Sequence, residues 1–180
     1  MTKPSVAKLG HVGLHVKDLE KEKAFFRDVV GLTVTDEDSE LGMVFMSARP
    51  DEEHHEFLLC RGRNVDTDAK VVQQISFRCN SLDDVVGFYQ RFKQHGVNIE
   101  RTVSHGNALS VYFFDPEGNR CETYWSTGLK AKQPYGRKID LEKPLAELLR
   151  ENEEHVQQYG KTGYIADRTA ISKVDAPVEK

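Results

Sequence analysis

An internal repeat is the sequence feature that most constrains the fold of this chain. The stretch LGHVGLHVKDLEKEKAFF, which starts at Leu9, aligns with VVQQISFRCNSLDDVVGFY so that Gln74 falls opposite His11. Further along, LGMVFMSARPDEEHHEFLLCRG aligns without a gap on NALSVYFFDPEGNRCETYWSTG, which places Glu56 opposite Glu122. Self-similarity of this kind indicates one structural unit used twice. We therefore expect residues 1–128 to form one domain built from two modules, 8–62 and 71–128.

Each module has the hydrophobic periodicity of one strand, one helix and three further strands. Alternating apolar residues predict strands, helical spacing predicts helices, and Gly31 stands where a C-cap glycine is expected. In the first module we predict a strand at 9–16, a helix at 18–30 and strands at 32–35, 42–47 and 55–60. In the second module we predict a strand at 71–79, a helix at 81–95 and strands at 97–102, 109–114 and 120–125. The predicted fold class is α+β, with two tandem βαβββ modules.

The composition changes after Gly128. Residues 129–160 are typical of an extended linker followed by an amphipathic helix, with Pro144 in its first turn and Gly160 after its end. The apolar stripe of this helix must cover either the outer face of a sheet or the second subunit of a homodimer, and the sequence leaves both open. Residues 161–180 are polar and aperiodic, and we expect a loosely held tail or an arm on a partner chain.

Composition excludes several classes of protein. A net charge of −4 over 180 residues gives no reason to expect a nucleic-acid partner, and the chain has no apolar run long enough for a membrane helix. The first residues lack the apolar core of a secretion signal, so we expect a cytoplasmic protein. The three cysteines (Cys60, Cys79 and Cys121) are isolated, which argues against a disulfide framework or a thiolate zinc site.

Strand alternation separates packing residues from exposed polar ones. In the first strand, Leu14 and Val16 share a face with Val12, which leaves His11 and His15 on the other face. The same argument applied to the other strands places further polar side chains on the corresponding faces: Gln74, Ser76 and Arg78 on one strand, Glu56 on another, and Glu122 with Tyr124 on the last. If the two modules curl against each other, their concave side collects His11, Glu56, Gln74 and Glu122.

These residues and segments resemble the vicinal oxygen chelate superfamily, which includes glyoxalase I, methylmalonyl-CoA epimerase, antibiotic resistance proteins and type I extradiol dioxygenases. The resemblance covers about residues 8–128 and is most specific in the LGH strand start, in SLDDVVGFY and in YFFDPEGNRCETY. The tract SHGNALSVYFFDPEGNRCE is most similar to the closing part of extradiol dioxygenases. The resemblance implies a curled mixed sheet around a concave metal site.

The resemblance also implies a set of metal ligands. It assigns His11 and Glu122 as ligands and places Gln74 where most dioxygenase relatives have a second histidine. Glu56 stands opposite Glu122 in the repeat and is a candidate fourth ligand, since glyoxalase-like members use four such positions. The expected cofactor is a divalent metal, foremost Fe(II), with Mn, Zn or Ni as alternatives.

Further residues acquire roles from the same resemblance. Tyr112 stands where extradiol enzymes have a tyrosine that hydrogen-bonds the substrate oxygen, and His105 where they have a histidine near the dioxygen site. A histidine can pass a proton at neutral pH, as catechol cleavage requires. His15, Arg78 and Tyr124 are expected to orient the substrate. The implied reaction is extradiol cleavage of a small catechol-like aromatic substrate by O2.

Two alternatives to this dioxygenase stay open. The first is a metal-dependent lyase or isomerase of the glyoxalase or epimerase type. The second is a binding protein that holds a small molecule without turnover, as antibiotic-binding relatives do. A binding cup would be rich in aromatic residues and would need no intact metal set. The assigned cup residues are His, Gln, Glu, Arg and Tyr, which favours an enzyme.

Overall fold

The computed structural model of the chain describes residues 9–64 and 72–166. These residues form two compact units. Unit 1 is the described part of Met1–Val71 together with Asp115–Gly118. Unit 2 is Val72–Phe114 together with the described part of Asn119–Lys180. The division follows the two modules, and each unit is described by itself.

Unit 1 contains one βαβββ module. Its elements are β1 (Val12–Val16), α1 (Leu19–Phe25), a π-helical turn (Phe26–Val30), β2 (Thr33–Asp38), β3 (Met43–Ser47) and β4 (Phe57–Arg61). The strands form a mixed sheet in the order β1-β4-β3-β2, in which β1 and β4 are parallel and the other pairs antiparallel. The predicted first strand is shorter than expected, because residues 9–11 precede the pairing with β4.

Local sequence signals explain how α1 begins and ends. Asp18 caps the helix, since its carboxylate accepts a hydrogen bond from the amide of Lys21 at 3.0 Å. Gly31 follows the π-helical turn with a φ of 90°, a conformation that glycine adopts without steric cost. In β1, Leu14 and Val16 are buried while His15 is exposed, as is His11 just before the strand, which confirms the predicted division of faces.

Unit 2 repeats the module and extends it. Its elements are β5 (Ile75–Arg78), α2 (Leu82–Gln94), β6 (Ile99–Ser104), β7 (Ala108–Phe114), β8 (Arg120–Ser126), β9 (Tyr135–Lys138), α3 (Leu145–Tyr159) and β10 (Tyr164–Ile165). The sheet order is β10-β9-β6-β7-β8-β5, so the four strands β5-β8-β7-β6 at one end of the sheet repeat the order of unit 1. The predicted α+β fold with duplicated βαβββ modules is confirmed, with a separate mixed sheet for each module.

The segment after Gly128 is more ordered than predicted. Residues expected to be an extended linker include β9, which pairs with the edge of β6 through Val103 and Ser104. The predicted helix is confirmed as α3, and its Leu148 is buried within the chain while Leu149 is 41% exposed. Residues 161–166 include the short strand β10, and the rest of the predicted tail lies outside the described residues. Within the described ranges, no helix is both long and apolar enough to cross a bilayer.

A buried acid lies beneath helix α1 in unit 1. The side chain of Glu22 is fully buried, and neither carboxylate oxygen has a side-chain partner within the described residues. Burial, reinforced by the nearby charges of Asp115 and Glu117, raises the pKa of Glu22 to about 8. The Glu117 carboxylate itself accepts hydrogen bonds from the amides of Lys17 at 2.5 Å and Asp18 at 2.9 Å. Glu22 is therefore a neutral acid in the folded protein at neutral pH.

Stability should fall as the pH rises because of Glu22. The folded protein keeps its proton up to about pH 8, whereas an unfolded chain releases it near the ordinary value of 4.5. Between pH 4.5 and about pH 8 the unfolded state binds fewer protons than the folded state. As the pH rises through this range, wild type therefore loses stability relative to a Glu22→Gln variant. We expect the variant to gain at least about 1 kcal/mol on wild type between pH 5 and pH 9. Urea unfolding at both pH values measures this gain, with the exposed Glu20→Gln as control. Parallel pH curves for wild type and Glu22→Gln would contradict the assignment.

Candidate functional site

Strand register in unit 2 brings three polar side chains to one face of the sheet. Tyr112 in β7 lies directly opposite Glu122 in β8. On the other side of β8, Ser76 in β5 also pairs with Glu122. Because facing residues of neighbouring strands project to the same side of a sheet, these side chains form a row across the three strands. Tyr112 and Glu122, two of the candidate site residues, therefore lie on one face of the sheet.

Glu122 is the buried centre of this row, with only 5% of its surface exposed. Its Oε2 accepts hydrogen bonds from the Ser76 hydroxyl at 2.6 Å and from the Gln74 amide nitrogen at 3.2 Å. The same Gln74 nitrogen also donates to Ser76 at 2.9 Å. Gln74 and Glu122, two of the four predicted metal ligands, are therefore in direct contact.

Glu122 forms no ion pair among the residues that the structure describes, although the guanidinium groups of Arg101 and Arg120 lie against the neighbouring Tyr112 ring. Its partners are Gln74, Ser76 and Tyr112, which are all neutral. A carboxylate removed from water without a counter-charge is costly, and proteins usually pair such a group with a cation or a metal ion. Glu122 therefore has the environment expected of a cation ligand.

His105 and Tyr112 form the next part of the array. Nε2 of His105 lies 2.9 Å from the Tyr112 hydroxyl, and Nδ1 lies 2.8 Å from the main-chain oxygen of Tyr135. A carbonyl oxygen only accepts hydrogen bonds, so Nδ1 carries the proton of the neutral ring. Nε2 is then an acceptor, and the Tyr112 hydroxyl donates to it.

The proton of Tyr112 has two acceptors. Besides His105, its hydroxyl interacts with the Glu122 carboxylate. Burial, reinforced by the negative charge of Glu122, raises the pKa of Tyr112 well above its usual value, so the residue stays a neutral phenol. When His105 gains a proton, Nε2 becomes a donor and the Tyr112 hydroxyl turns toward Glu122. The protonation state of His105 thus sets the direction of this hydrogen bond.

Two arginines hold the Tyr112 ring. The guanidinium carbons of Arg101 and Arg120 lie 4.9 Å and 4.7 Å from the ring centroid. Glu100 binds Arg120 at 2.8 Å and thereby fixes one of the two guanidinium groups. Cation–π contacts of this kind fix the plane of the phenol. The hydroxyl is therefore held in place from the ring side as well as by its hydrogen bonds.

The array opens into a cavity of about 280 Å³ on unit 2. The cavity contains five of the predicted site residues of this unit, which are Gln74, His105, Tyr112, Glu122 and Tyr124. Its complete lining is Gln74, Ser76, His105, Asn107, Ala108, Tyr112, Glu122, Tyr124 and Gln133. This volume is close to the lower end of the range for small-molecule sites. Arg78 is not part of the lining and its side chain is exposed.

The donors in this cavity suit a hard divalent metal ion. A buried carboxylate and an amide carbonyl are oxygen ligands of the type that Mn(II) and similar ions prefer. Within the described residues, no hydrogen bond uses the carbonyl oxygen of Gln74, so this oxygen is available. Among the described residues, no group of three or more His, Cys, Asp or Glu side chains is placed so that it could hold a metal ion. Unit 2 therefore offers two of the predicted ligands, Gln74 and Glu122.

His11, the predicted ligand in unit 1, belongs to a histidine cluster. Its ring centroid lies 4.5 Å from that of His55, and Nδ1 of His55 lies 3.0 Å from Nδ1 of His54. Phe45 contacts both of the latter rings. Burial, together with the neighbouring rings of His11 and His54, lowers the pKa of His55. Sequence reasoning missed the contact between His11 and His55, because His55 lies just before β4, where strand alternation is no guide.

Glu56, the other predicted ligand in unit 1, is held by local hydrogen bonds. Its Oε1 accepts from Arg49 at 2.8 Å, and its Oε2 accepts from the amide of Ala48 at 3.1 Å and from Ser47 at 3.3 Å. The bond from Arg49 is the main cause that holds the pKa of Glu56 below its usual value. A metal ion would have to compete with these partners, so the ligand role of Glu56 stays a prediction.

His15 is the remaining predicted substrate residue of unit 1. Its side chain is exposed and lies beside Gly62, where an added Cβ would be 3.4 Å from Nδ1. The substrate roles of His15 and of Arg78 stay predictions.

Sequence reasoning placed Ser76 on the face of Gln74 without giving it a role, and it overlooked the cavity residues Asn107 and Gln133. Ser76 carries a usable signal, because it alternates with Gln74 on the first strand of the module. Asn107 and Gln133 carry none, since both lie outside strands and helices. Gln133 reaches the cavity because it binds the main-chain oxygen of His105 at 3.0 Å.

Comparison with known proteins finds relatives that are named as dioxygenases. The chain is 33% identical over 139 residues to a manganese-dependent 2,3-dihydroxybiphenyl 1,2-dioxygenase of Geobacillus genomosp. 3, a match that covers 76% of the chain and 42% of that protein. It is 30% identical to biphenyl-2,3-diol 1,2-dioxygenase 3 of Rhodococcus globerulus, over 64% of the chain and 61% of that protein. The chain thus spans less than two thirds of either relative.

Solved structures and a family model address the fold. The crystal structure of lactoylglutathione lyase from Agrobacterium tumefaciens matches 68% of the chain and 96% of that protein, with a TM-score of 0.54 and 23% identity. At this identity the match speaks for the fold alone. The model of the Glyoxalase/Bleomycin resistance protein/Dioxygenase superfamily matches residues 8–123. The resemblance found in the sequence is thereby confirmed, and the chain belongs to this superfamily.

Proposed function

We propose that this protein is a metal-dependent dioxygenase of the extradiol type, which cleaves a catechol-like aromatic ring with O2. The observation that carries the proposal is the hydrogen-bonded array of His105, Tyr112 and Glu122 in one cavity. This array combines a base, a neutral phenol and a buried carboxylate without a cationic partner. The two dioxygenases that resemble the chain act, by their names, on dihydroxylated biphenyls.

Glu122 and Gln74 of unit 2 would hold the metal, and the family resemblance adds His11 as a further ligand. One imidazole, one carboxylate and one amide oxygen suit Fe(II) or Mn(II). The oxygen donors and the manganese-dependent relative support Mn(II) as strongly as the sequence resemblance supports Fe(II). When bound, such an ion supplies Lewis acidity to the catechol oxygens and a binding position for dioxygen.

The array supplies the proton chemistry of the reaction. A catechol hydroxyl next to Tyr112 can donate to the phenol oxygen while the phenol proton passes to Nε2 of His105. The raised pKa of Tyr112 keeps the phenol neutral, so it transmits the proton and does not retain a charge. The imidazolium formed is stabilised by the Tyr135 oxygen at Nδ1, and it can return the proton to an oxygen of the product.

The other parts of the proposal concern the surroundings of the site. Tyr124 lies in the cavity and would contact the substrate ring, whereas the substrate roles of His15 and Arg78 stay predictions from the sequence. The expected partners are therefore the aromatic substrate and O2. The cytoplasmic location and the homodimer stay predictions.

The array predicts a selective loss of turnover in two variants. Tyr112→Phe removes the phenol oxygen that passes the proton, and His105→Asn removes the base, so each should lower kcat by about 10²- to 10⁴-fold. Oxygen uptake with catechol as substrate measures kcat and KM. Tyr89→Phe, a change on helix α2 outside the cavity, is the matched control and should keep normal kcat. Unchanged turnover in Tyr112→Phe would rule out the proposed proton path.

Metal content tests the role of Glu122. Protein purified without added metal should contain close to one Mn or Fe per chain by plasma mass spectrometry, and Glu122→Gln should lose most of it because a charged ligand is removed. The exposed Glu142→Gln is the control for a lost carboxylate. Equal metal content in Glu122→Gln would contradict the ligand assignment. Zinc or nickel without oxygen uptake would favour a lyase or isomerase, and absence of metal would favour a binding protein.

Replacement of the third ligand should change metal preference. Gln74→His exchanges an amide oxygen for an imidazole nitrogen, which binds iron more strongly than a neutral oxygen donor does. We expect a higher ratio of bound iron to manganese when apoprotein is loaded with equal amounts of both ions, and faster catechol cleavage with iron. An unchanged ratio would show that residue 74 does not coordinate the ion.

A further inference from the structure

We infer that Asn152, in the C-terminal helix α3, is a positioning residue that holds His105 in the tautomer required for proton transfer, a role that rests on the proposed function. The matched part of the superfamily model ends at residue 123, so Asn152 lies outside it. The inference rests on one observation: residues 131–156 enclose the Ser104–Gly106 loop, which contains His105. Asn152 thereby acts on the reaction only through the position of His105.

Asn152 binds the residues on either side of His105. Its Oδ1 accepts from the Ser104 hydroxyl at 2.5 Å, and its Nδ2 donates to the main-chain oxygen of Gly106 at 2.9 Å. The Ser104 oxygen in turn accepts from the Gly106 amide at 2.9 Å. Asn152 is 1% exposed, so no water competes for these bonds. The side-chain amide of Asn152 therefore fixes both ends of the short loop that contains His105.

His105 is itself held at three points. Its amide donates to the Ala108 oxygen at 2.8 Å, and its carbonyl accepts from the Gln133 side chain at 3.0 Å. Its Nδ1 lies 2.8 Å from the Tyr135 oxygen. Two of these three partners come from the C-terminal segment. Only Nε2 is left to face Tyr112.

Packing around Gly106 shows how closely the segment encloses the loop. Gly106 has a φ of 72°, and a Cβ added there would lie 2.6 Å from the Cβ of Ala131 and 3.0 Å from Cγ2 of Val156. No side chain fits this space. A shift of α3 or of residue 131 would therefore move the loop and the His105 ring with it.

Burial alone does not explain an asparagine at this position. Leu148, one turn earlier on α3, is 2% exposed and supplies apolar anchorage. A buried amide loses its hydration, and only well-made hydrogen bonds offset that cost. The bonds of Asn152 all go to the residues that flank His105. Besides its contribution to packing, the Asn152 amide therefore fixes the geometry of this loop.

The consequence for chemistry is a single tautomer. As long as the Tyr135 oxygen faces Nδ1, the neutral ring must carry its proton there and present a lone pair at Nε2. If the loop relaxes, either nitrogen can carry the proton, and part of the population loses the base that Tyr112 requires. Small displacements of catalytic groups lower turnover by about 10- to 100-fold.

The experiment measures the tautomer of His105 in metal-free protein without substrate. Two-bond proton–nitrogen correlation spectra of ¹⁵N-labelled protein, recorded where free imidazole is neutral, show which ring nitrogen carries the proton. His105→Asn identifies the signal. We expect a single tautomer protonated at Nδ1 in wild type and a mixture in Asn152→Ala, together with a kcat for catechol lowered by about 10- to 100-fold.

Leu148→Val is the matched control on the same helix. It should lower the melting temperature about as much as Asn152→Ala, while it keeps the wild-type tautomer and kcat. If Asn152→Ala does not fold, the exposed Gln133→Ala tests the same enclosure and should also mix the tautomers. The inference would be overturned if the variant measured, Asn152→Ala or Gln133→Ala, kept the single wild-type tautomer. It would also be overturned if Leu148→Val showed the same mixture of tautomers as that variant. A wild type that does not cleave catechols would refute the proposed function, while the tautomer would still decide the role of Asn152.

Discussion

The strand register around Glu122 is the constraint on which the candidate site depends. Because β8 lies between β5 and β7, its central carboxylate faces Ser76 on one side and Tyr112 on the other. A register shift of one residue would turn Glu122 to the opposite face of the sheet and separate it from both partners. The pairing of β8 with β5 and β7 therefore determines where the site lies.

This geometry places a negative charge in a buried position and surrounds it with neutral donors. Ser76, Gln74 and Tyr112 each interact with the Glu122 carboxylate, but none neutralises it. The same environment keeps Tyr112 protonated, and the Tyr135 oxygen determines which nitrogen of His105 is the base. Charge, proton donor and base are thus coupled through one chain of hydrogen bonds. That coupling is the physical basis of the dioxygenase proposal.

The duplicated fold was accessible from the sequence because both copies obey simple periodicity. Alternation in β1 correctly separated the buried Leu14 from the exposed His15. Strand β9 could not be predicted, since its pairing depends on the free edge of β6 and has no local signal. The same limit applies to Asn152 and Gln133, which reach His105 only through tertiary packing. His55 beside His11 is a further example, because the contact follows from the path of the chain before β4.

The central claim is that the carboxylate of Glu122 binds a divalent metal ion. Crystals grown with Mn(II) or Fe(II), with diffraction data collected on both sides of the absorption edge of the metal, test it most directly. The account predicts an anomalous peak within coordination distance of the Glu122 carboxylate and of the Gln74 amide oxygen. Fully metal-soaked crystals in which Glu122 contacts only Ser76, Gln74 and Tyr112, with no peak beside it, would contradict the account.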